Sequence, residues 1–327
     1  MKDVIFVAGI FLLFIFLSAT LLGQDTLKVN TYRMATADTI IAIDKAITYT
    51  LSQQNSTVDL STYKRRQKIL AYSSVGLYAG MLITLNQAWY ANYPRSSFHF
   101  FNDNNEWLQT DKIGHAWSTY QLSRAGYGAW KWAGVSEKKA ILLGSLSGPG
   151  FLTIIEILDG FSAEWGFSTG DMAANIFGGG LFACQQLCWH EQKIDYKFSF
   201  HRNNYGSDLL NDRANNLFGK SLPERILKDY NAQSYWLSFN IKSFFKQANL
   251  PKWLNIAVGY GAEGMFGANE NKWTDKNSST IDRTDIIRYR QWYLSPDINF
   301  TKIKTRSKLL KTVFFALNAF KFPFPGL

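Results

Sequence analysis

Ionisable residues stand inside glycine-rich, apolar, helix-like sequence at three places, and this feature constrains the fold most. Asp111, Lys112 and His115 open one such segment. Glu156 and Asp159 close the next, and Asp171 and Asn175 begin a third that runs into Gly178-Gly179-Gly180. A charge in an apolar helix costs free energy unless it is paired or used. Three helices that each carry such groups therefore predict one shared polar site. The spacing agrees: Asp111 and His115 stand at i, i+4, as do Asp171 and Asn175, while Glu156 and Asp159 stand at i, i+3. Each pair shares one helix face. The frequent glycines and alanines let such helices approach closely.

The pattern divides the 327 residues into four stretches. Residues 1–24 read as a secretory signal: Met1-Lys2, an apolar run from Ile5 to Leu22, then Gly23-Gln24-Asp25, with cleavage near Gln24. An uncleaved anchor is the rival, since the run is near the ~18-residue limit for spanning. Residues 25–63 are polar, with one amphipathic stretch from Ala35 to Leu51. Residues 64–192 form a helical core. It includes an uncharged segment from Ile69 to Tyr90, closed by Trp89-Tyr90, long enough to cross a bilayer, though its Ser, Thr, Asn and Gly content fits equally well a helix buried in a protein bundle. Helices are predicted from Asp111 to about Trp132, from Ala140 to Leu158, and from a Ser168-Thr169-Gly170-Asp171 cap to about His190. Gly148-Pro149-Gly150 is expected to kink or split the middle one.

Residues 193–327 change character. Residues 191–232 read as polar loop with a short helix near Leu222 to Asp229. Period-two alternation then predicts strands. Tyr235, Leu237, Phe239 and Ile241 oppose Ser238, Asn240 and Lys242, and Leu254, Ile256, Val258 and Tyr260 oppose Asn255, Ala257, Gly259 and Gly261. Ile298 and Phe300 oppose Asp297 and Asn299. Large apolar residues on one face with small or polar ones on the other resemble outer-membrane strands, yet these are too few for a single-chain barrel of at least about eight. Gly267 to Thr284 reads as a polar loop and Ser307 to Phe320 as a further amphipathic helix. The fold class is α+β: a glycine-rich helical bundle followed by a small antiparallel β region.

Aromatics make up 16% of the chain and the net charge is +10, a balance that suits a membrane interface. The basic residues are scattered, with groups at Lys64-Arg65-Arg66-Lys68 and Lys302 to Lys311, so nucleic acid is not expected as a partner. Expected partners are a membrane lipid, an envelope glycan or another envelope protein. Cys184 and Cys188, one helical turn apart, fit neither a redox nor a zinc framework and are expected to pack in a helix interface. His190 and His201 are expected in water, His99 beside aromatics, and Glu164 in a loop it holds.

The candidate catalytic set is Asp111, Lys112, His115, Glu156, Asp159, Asp171 and Asn175, and the candidate metal set is His115, Glu156, Asp159 and Asp171. Three readings stay open. The groups pin helix register as a buried network; they carry hydrolytic or transfer chemistry with His115 or a carboxylate as base; or they ligate a metal such as Zn, Mn or Ca. No GxSxG, HExxH, P-loop or GxGxxG motif is present, and no cofactor is indicated.

Asp111-Lys112-x-x-His115, Glu156-x-x-Asp159-Gly160 and Trp165-Gly166-Phe167-Ser168-x-x-Asp171-x-x-x-Asn175-x-x-Gly178 together resemble the YfiM-like family of predicted periplasmic lipoproteins, a domain of unknown function. The order Asp-Lys-x-x-His, Glu, Asp-x-x-x-Asn-x-x-Gly is also similar to VanZ-like membrane proteins. The resemblance covers roughly residues 70–190 and, more loosely, the C-terminal strands. It implies a Gram-negative envelope location, periplasmic or membrane-associated, and supplies no activity. The chain departs from the lipoprotein pattern, with no cysteine near Gln24 to lipidate. The expectation is a membrane-associated, non-enzymatic envelope component, with an envelope hydrolase or transferase as the alternative.

Overall fold

The structure is a computed structural model that describes residues 60–85, 94–275 and 278–322. The signal segment, the Ala35–Leu51 stretch, Trp89-Tyr90 and the last five residues lie outside the described residues. Helix α1 (Leu60–Leu85) begins just before the basic cluster, contains all of it and takes in most of the uncharged segment. A short strand β1 (Phe100–Phe101) follows. The next backbone turn is left-handed at three consecutive non-glycine residues, Trp107, Leu108 and Gln109, with φ of 49°, 49° and 64°. Such a run is strained. It leads directly into α2 (Thr110–Trp132), then α3 (Glu137–Gly160), β2 (Phe167–Ser168) and α4 (Thr169–Trp189). Helices α2, α3 and α4 all pack on one another.

Helix α3 runs unbroken through Pro149, so the chain does not split there. Proline removes the bond that Ser145 O would otherwise receive within the helix. Ser123 Oγ on α2 donates to that oxygen instead, at 3.3 Å, so the neighbouring helix satisfies what the proline frees. Gly148 and Gly178 make the contact possible. A Cβ on Gly148 would stand 2.4 Å from Thr119 O, and one on Gly178 would stand 2.1 Å from Ala116 O. Helix α3 is long and apolar enough to cross a membrane by length and composition, with a third of its most apolar window buried.

After α4 come β3 (Ile194–Phe200), α5 (Asp208–Phe218), α6 (Leu222–Lys228), β4 (Gln233–Asn240), the one-turn α7 (Ile241–Phe244) and β5 (Leu254–Glu263). A small hairpin, β6 (Lys272–Thr274) and β7 (Thr280–Asp282), precedes β8 (Tyr289–Ile298) and α8 (Lys308–Leu317). Strand β3 and helix α5 fall in the stretch read as loop, and the hairpin falls in Gly267 to Thr284, also read as loop. Helices α6 and α8 stand where helices were expected. The main sheet is antiparallel in the order β3-β4-β5-β8, so the α+β class with a small antiparallel region holds.

This sheet buries its polar face. Lys197, Ser238 and Asn255 are fully buried, and Asp297 is nearly so. Lys197 Nζ pairs with Asp297 Oδ2 at 2.7 Å and donates to Ile298 O at 2.7 Å. Ser238 Oγ donates to the same carboxylate at 2.5 Å, and Asn255 Nδ2 donates to Ser238 Oγ at 2.7 Å. On the apolar face, α2 covers the β3–β4 half. Trp117 packs on Phe198 and Tyr235, and Tyr196 donates its hydroxyl to Ile113 O at 3.1 Å. The β5–β8 half extends past the helix and stays exposed, with Trp292 at 71% and Leu294 at 76% exposure. Residues 319–322 run beside β3 through Phe198 N to Ala319 O and Lys321 N to Phe198 O. They reach β8 through Lys321 Nζ to Ser295 Oγ at 3.2 Å and Phe322 N to Asp297 Oδ1 at 3.1 Å.

Cys184 and Cys188 are exposed and free on α4, not packed in an interface. They belong to its outward face with Ile176, Phe177 and Leu187.

Gly178→Ala forces a methyl into the α2 backbone and should lower unfolding free energy by at least ~1–3 kcal/mol. Denaturant unfolding checks this; an unchanged midpoint would show that α2 and α4 are not held at this distance.

Candidate functional site

Helix α2 presents Asp111 in its first turn and His115 one turn later. Helix α3 brings Glu156 from its last turns, and α4 brings Asp171 from its first turn and Asn175 from its second. Ser168 caps α4 by accepting from Asp171 N at 3.0 Å, which fixes the first turn that aims Asp171. The pairing of β1 with β2 sets Phe101 opposite Ser168. This holds the following loop so that Ser168 Oγ donates to Asp103 Oδ1 at 2.6 Å. Tyr230, just after α6, packs on Trp107 and donates its hydroxyl to Asp111 Oδ1 at 2.6 Å.

These elements bring six of the seven candidates into one cluster. Lys112 Nζ stands 2.9 Å from Asp103 Oδ1 and 3.1 Å from Asp171 Oδ1, bridging the two carboxyls. His115 Nε2 faces Asp111 Oδ1 at 4.0 Å. On the other side of the ring, Nδ1 lies 3.2 Å from Asn175 Oδ1 and 3.7 Å from Glu156 Oε1. Glu156 Oε2 accepts from Ser168 N at 3.2 Å. Asp159 is near enough to act on the charge of Glu156, but it stays outside the set whose atoms converge. That set is Asp111, His115 and Asp171, whose ligand-type atoms all lie within 4.8 Å of one another. Asp111 thus takes the place that Glu156 and Asp159 held in the metal set read from sequence.

Asp103 and Tyr230 are members that the sequence reading missed. Asp103 lies in a polar Asn-Asp-Asn-Asn run that reads as loop, and Tyr230 comes from 119 residues beyond Asp111. Glu164 and His190 are exposed, and His201 Nε2 lies 3.9 Å from Glu263, away from the cluster. His99 contacts Ser96 Oγ at 3.2 Å.

Burial and crowding set the protonation of the cluster. Burial pushes the Glu156 carboxyl up to about 8, with Asp171 and Asp159 adding to the rise against the pull of His115. Burial and then Asp111 push Asp171 up to about 7. For His115, burial acts downward, but the carboxylates of Asp111, Asp171 and Glu156 outweigh it and its pKa rises. Asp103 moves the other way: burial opposes the change, and hydrogen bonds from Asp171, Ser168 and Lys112 hold it low. One half-buried carboxyl is thus kept ionised while two buried ones retain protons into the neutral range, the pattern expected when like charges crowd a dry place.

Residues 99–186 match the model of a family described as predicted periplasmic lipoprotein (DUF2279). The match spans every member of the cluster except Tyr230. No curated protein and no solved structure matches the chain. With the family's description, the chain is a cell-envelope protein, exported and periplasmic or membrane-associated. Its two cysteines, Cys184 and Cys188, lie at the far end of α4.

Glu156, Asp171 and His115 all have folded pKa values above their ordinary ones. Such groups stabilise the fold fully below the ordinary value, and the contribution is lost as pH rises through the folded value. For Glu156 the window runs from 4.5 to about 8. In a chelating buffer the melting temperature should therefore fall as pH is raised from about 5 to 8. Glu156→Gln, which keeps the neutral shape, should flatten the fall. A flat or rising wild-type profile would contradict this protonation pattern.

Proposed function

We propose that this chain is a non-enzymatic, membrane-associated component of the cell envelope that rests on an anionic lipid surface. The observation that carries this reading is the inverted sheet. Its polar face is buried, and the β5–β8 half of its apolar face offers Ile256, Val258, Trp292 and Leu294 to the outside. Soluble proteins rarely leave a contiguous apolar patch uncovered, and apolar-out, polar-in is the arrangement of strands that face lipid. The helices add outward apolar residues, among them Leu142 and Leu146 on α3 and Ile176 and Phe177 on α4.

Charge selects lipid over the other expected partners. Helix α8 exposes Leu309 and Leu310 between Lys308 and Lys311. An open groove beside it is lined by Lys302, Lys304, Arg306 and Lys311. Apolar side chains set among cations suit the boundary between acyl chains and anionic headgroups. A glycan would call for polar groups converging in a cleft, whereas these surfaces are apolar with basic margins. The resemblance of the three sequence blocks to YfiM-like and VanZ-like proteins fits an envelope protein that works beside a membrane.

The full chain should float with vesicles of phosphatidylcholine and phosphatidylglycerol, and more weakly with phosphatidylcholine alone. Trp292→Ser with Leu294→Ser removes two large apolar contacts, each worth ~1.5–3 kcal/mol when fully buried. The double variant should bind at least about tenfold more weakly. Equal binding by the variant, or no flotation of the wild type, would overturn the reading. Capture of a second envelope protein through Trp292 and Leu294, with no vesicle binding, would replace lipid by a protein partner.

A further inference from the structure

We propose that Asp111, His115 and Asp171 form a divalent-metal site of the zinc class. The three come from two helices, and their ligand-type atoms lie within 4.8 Å of one another. Ligands at ~2.0–2.2 Å from one tetrahedral zinc ion stand about 3.3–3.6 Å apart, so side-chain rotations of about an ångström close the set. Carboxylate and imidazole donors suit zinc, and a lone histidine among carboxylates separates this site from an all-oxygen calcium cage.

The surroundings are those of metal ligands. With Nδ1–H of His115 donating to Asn175 Oδ1 at 3.2 Å, the lone pair sits on Nε2, the nitrogen that faces Asp111. An outer partner that fixes the tautomer in this way is typical of metal-bound histidine. Tyr230 donates to Oδ1 of Asp111 and Lys112 to Oδ1 of Asp171, so each carboxylate is oriented through one oxygen. Asn175 supplies the independent sign of a ligand. It is fully buried, and its Nδ2 has no hydrogen-bond partner among the described residues. A buried donor left unpaired is costly. This nitrogen belongs to the amide whose Oδ1 meets His115 Nδ1, so an oxygen brought in beside the imidazole would pair it. Access is open at Asp111 and His115, whose side chains are 25% and 19% exposed.

The test uses the full chain with Cys184→Ser and Cys188→Ser, so that the exposed thiols take no metal. After chelator dialysis, calorimetric titration with Zn²⁺ should give one site per chain, and Ca²⁺ should bind far more weakly. Co²⁺ should give a visible d–d spectrum with nitrogen coordination. His115→Ala should abolish saturable Zn²⁺ binding, while His201→Ala, at the other histidine–carboxylate pair, should not change it. Asn175→Ala should weaken binding about 10–100-fold. Should His115→Ala fail to fold, the near-isosteric Asp111→Asn takes its place, with loss of the Co²⁺ spectrum as the readout. Absence of a saturable Zn²⁺ site, or a site that survives these substitutions, overturns the proposal and leaves lipid binding untouched.

Discussion

Acidic groups gathered in a partly dry place are the constraint on which this structure depends. Asp103, Asp111, Glu156 and Asp171 are drawn together, with Lys112 and His115 set among them. Uncompensated, such a gathering would push the helices apart. The surrounding architecture supplies compensation piece by piece. The close approach of α2 to α3 and α4 at Gly148 and Gly178 shortens the distances between the groups. The β1–β2 pairing delivers Asp103 and Ser168, and the far-removed Tyr230 ties Asp111 to the strand-rich part of the chain.

The same solution appears twice. In the sheet, Lys197 and Asp297 neutralise each other and engage Ser238 and Ile298. In the helices, Lys112 bridges two carboxyls. Both places bury polar groups satisfied largely by neighbouring side chains, and the elements that carry them also present apolar residues outward. Water would reward the reverse arrangement. A lipid surroundings removes that reward, because the outward apolar atoms then lose nothing and the inward polar atoms keep their partners.

Local patterns made the elements around the site legible and hid the ones that close it. Helices α2 and α4 announce themselves by the i, i+4 spacing of Asp111 with His115 and Asp171 with Asn175, and by the Ser168 cap. Strands β4 and β5 show clean alternation. Strand β3 alternates equally well through Ile194, Tyr196, Phe198 and Phe200, but Asp195 and Lys197 between them look like solvated loop residues. Their partners, Asn299 and Asp297, lie about a hundred residues further on, beyond any local window. The continuity of α3 was hidden in the same way, since the acceptor freed by Pro149 is served by Ser123 of another helix. Asp103 and Tyr230 reach the site only through long-range packing, which spacing cannot encode.

The segment 319–322 touches both edge strands of the main sheet, β3 through backbone bonds and β8 through Lys321 and Phe322. Since it follows β3 by more than a hundred residues, the β3 rim receives its clasp only after the strands between them have been made. Until then the β3 rim carries unpaired amides and carbonyls, open to pairing with neighbouring molecules. A carrier that shields the emerging strands during export, or swift delivery to a bilayer, would protect the nascent form through that interval.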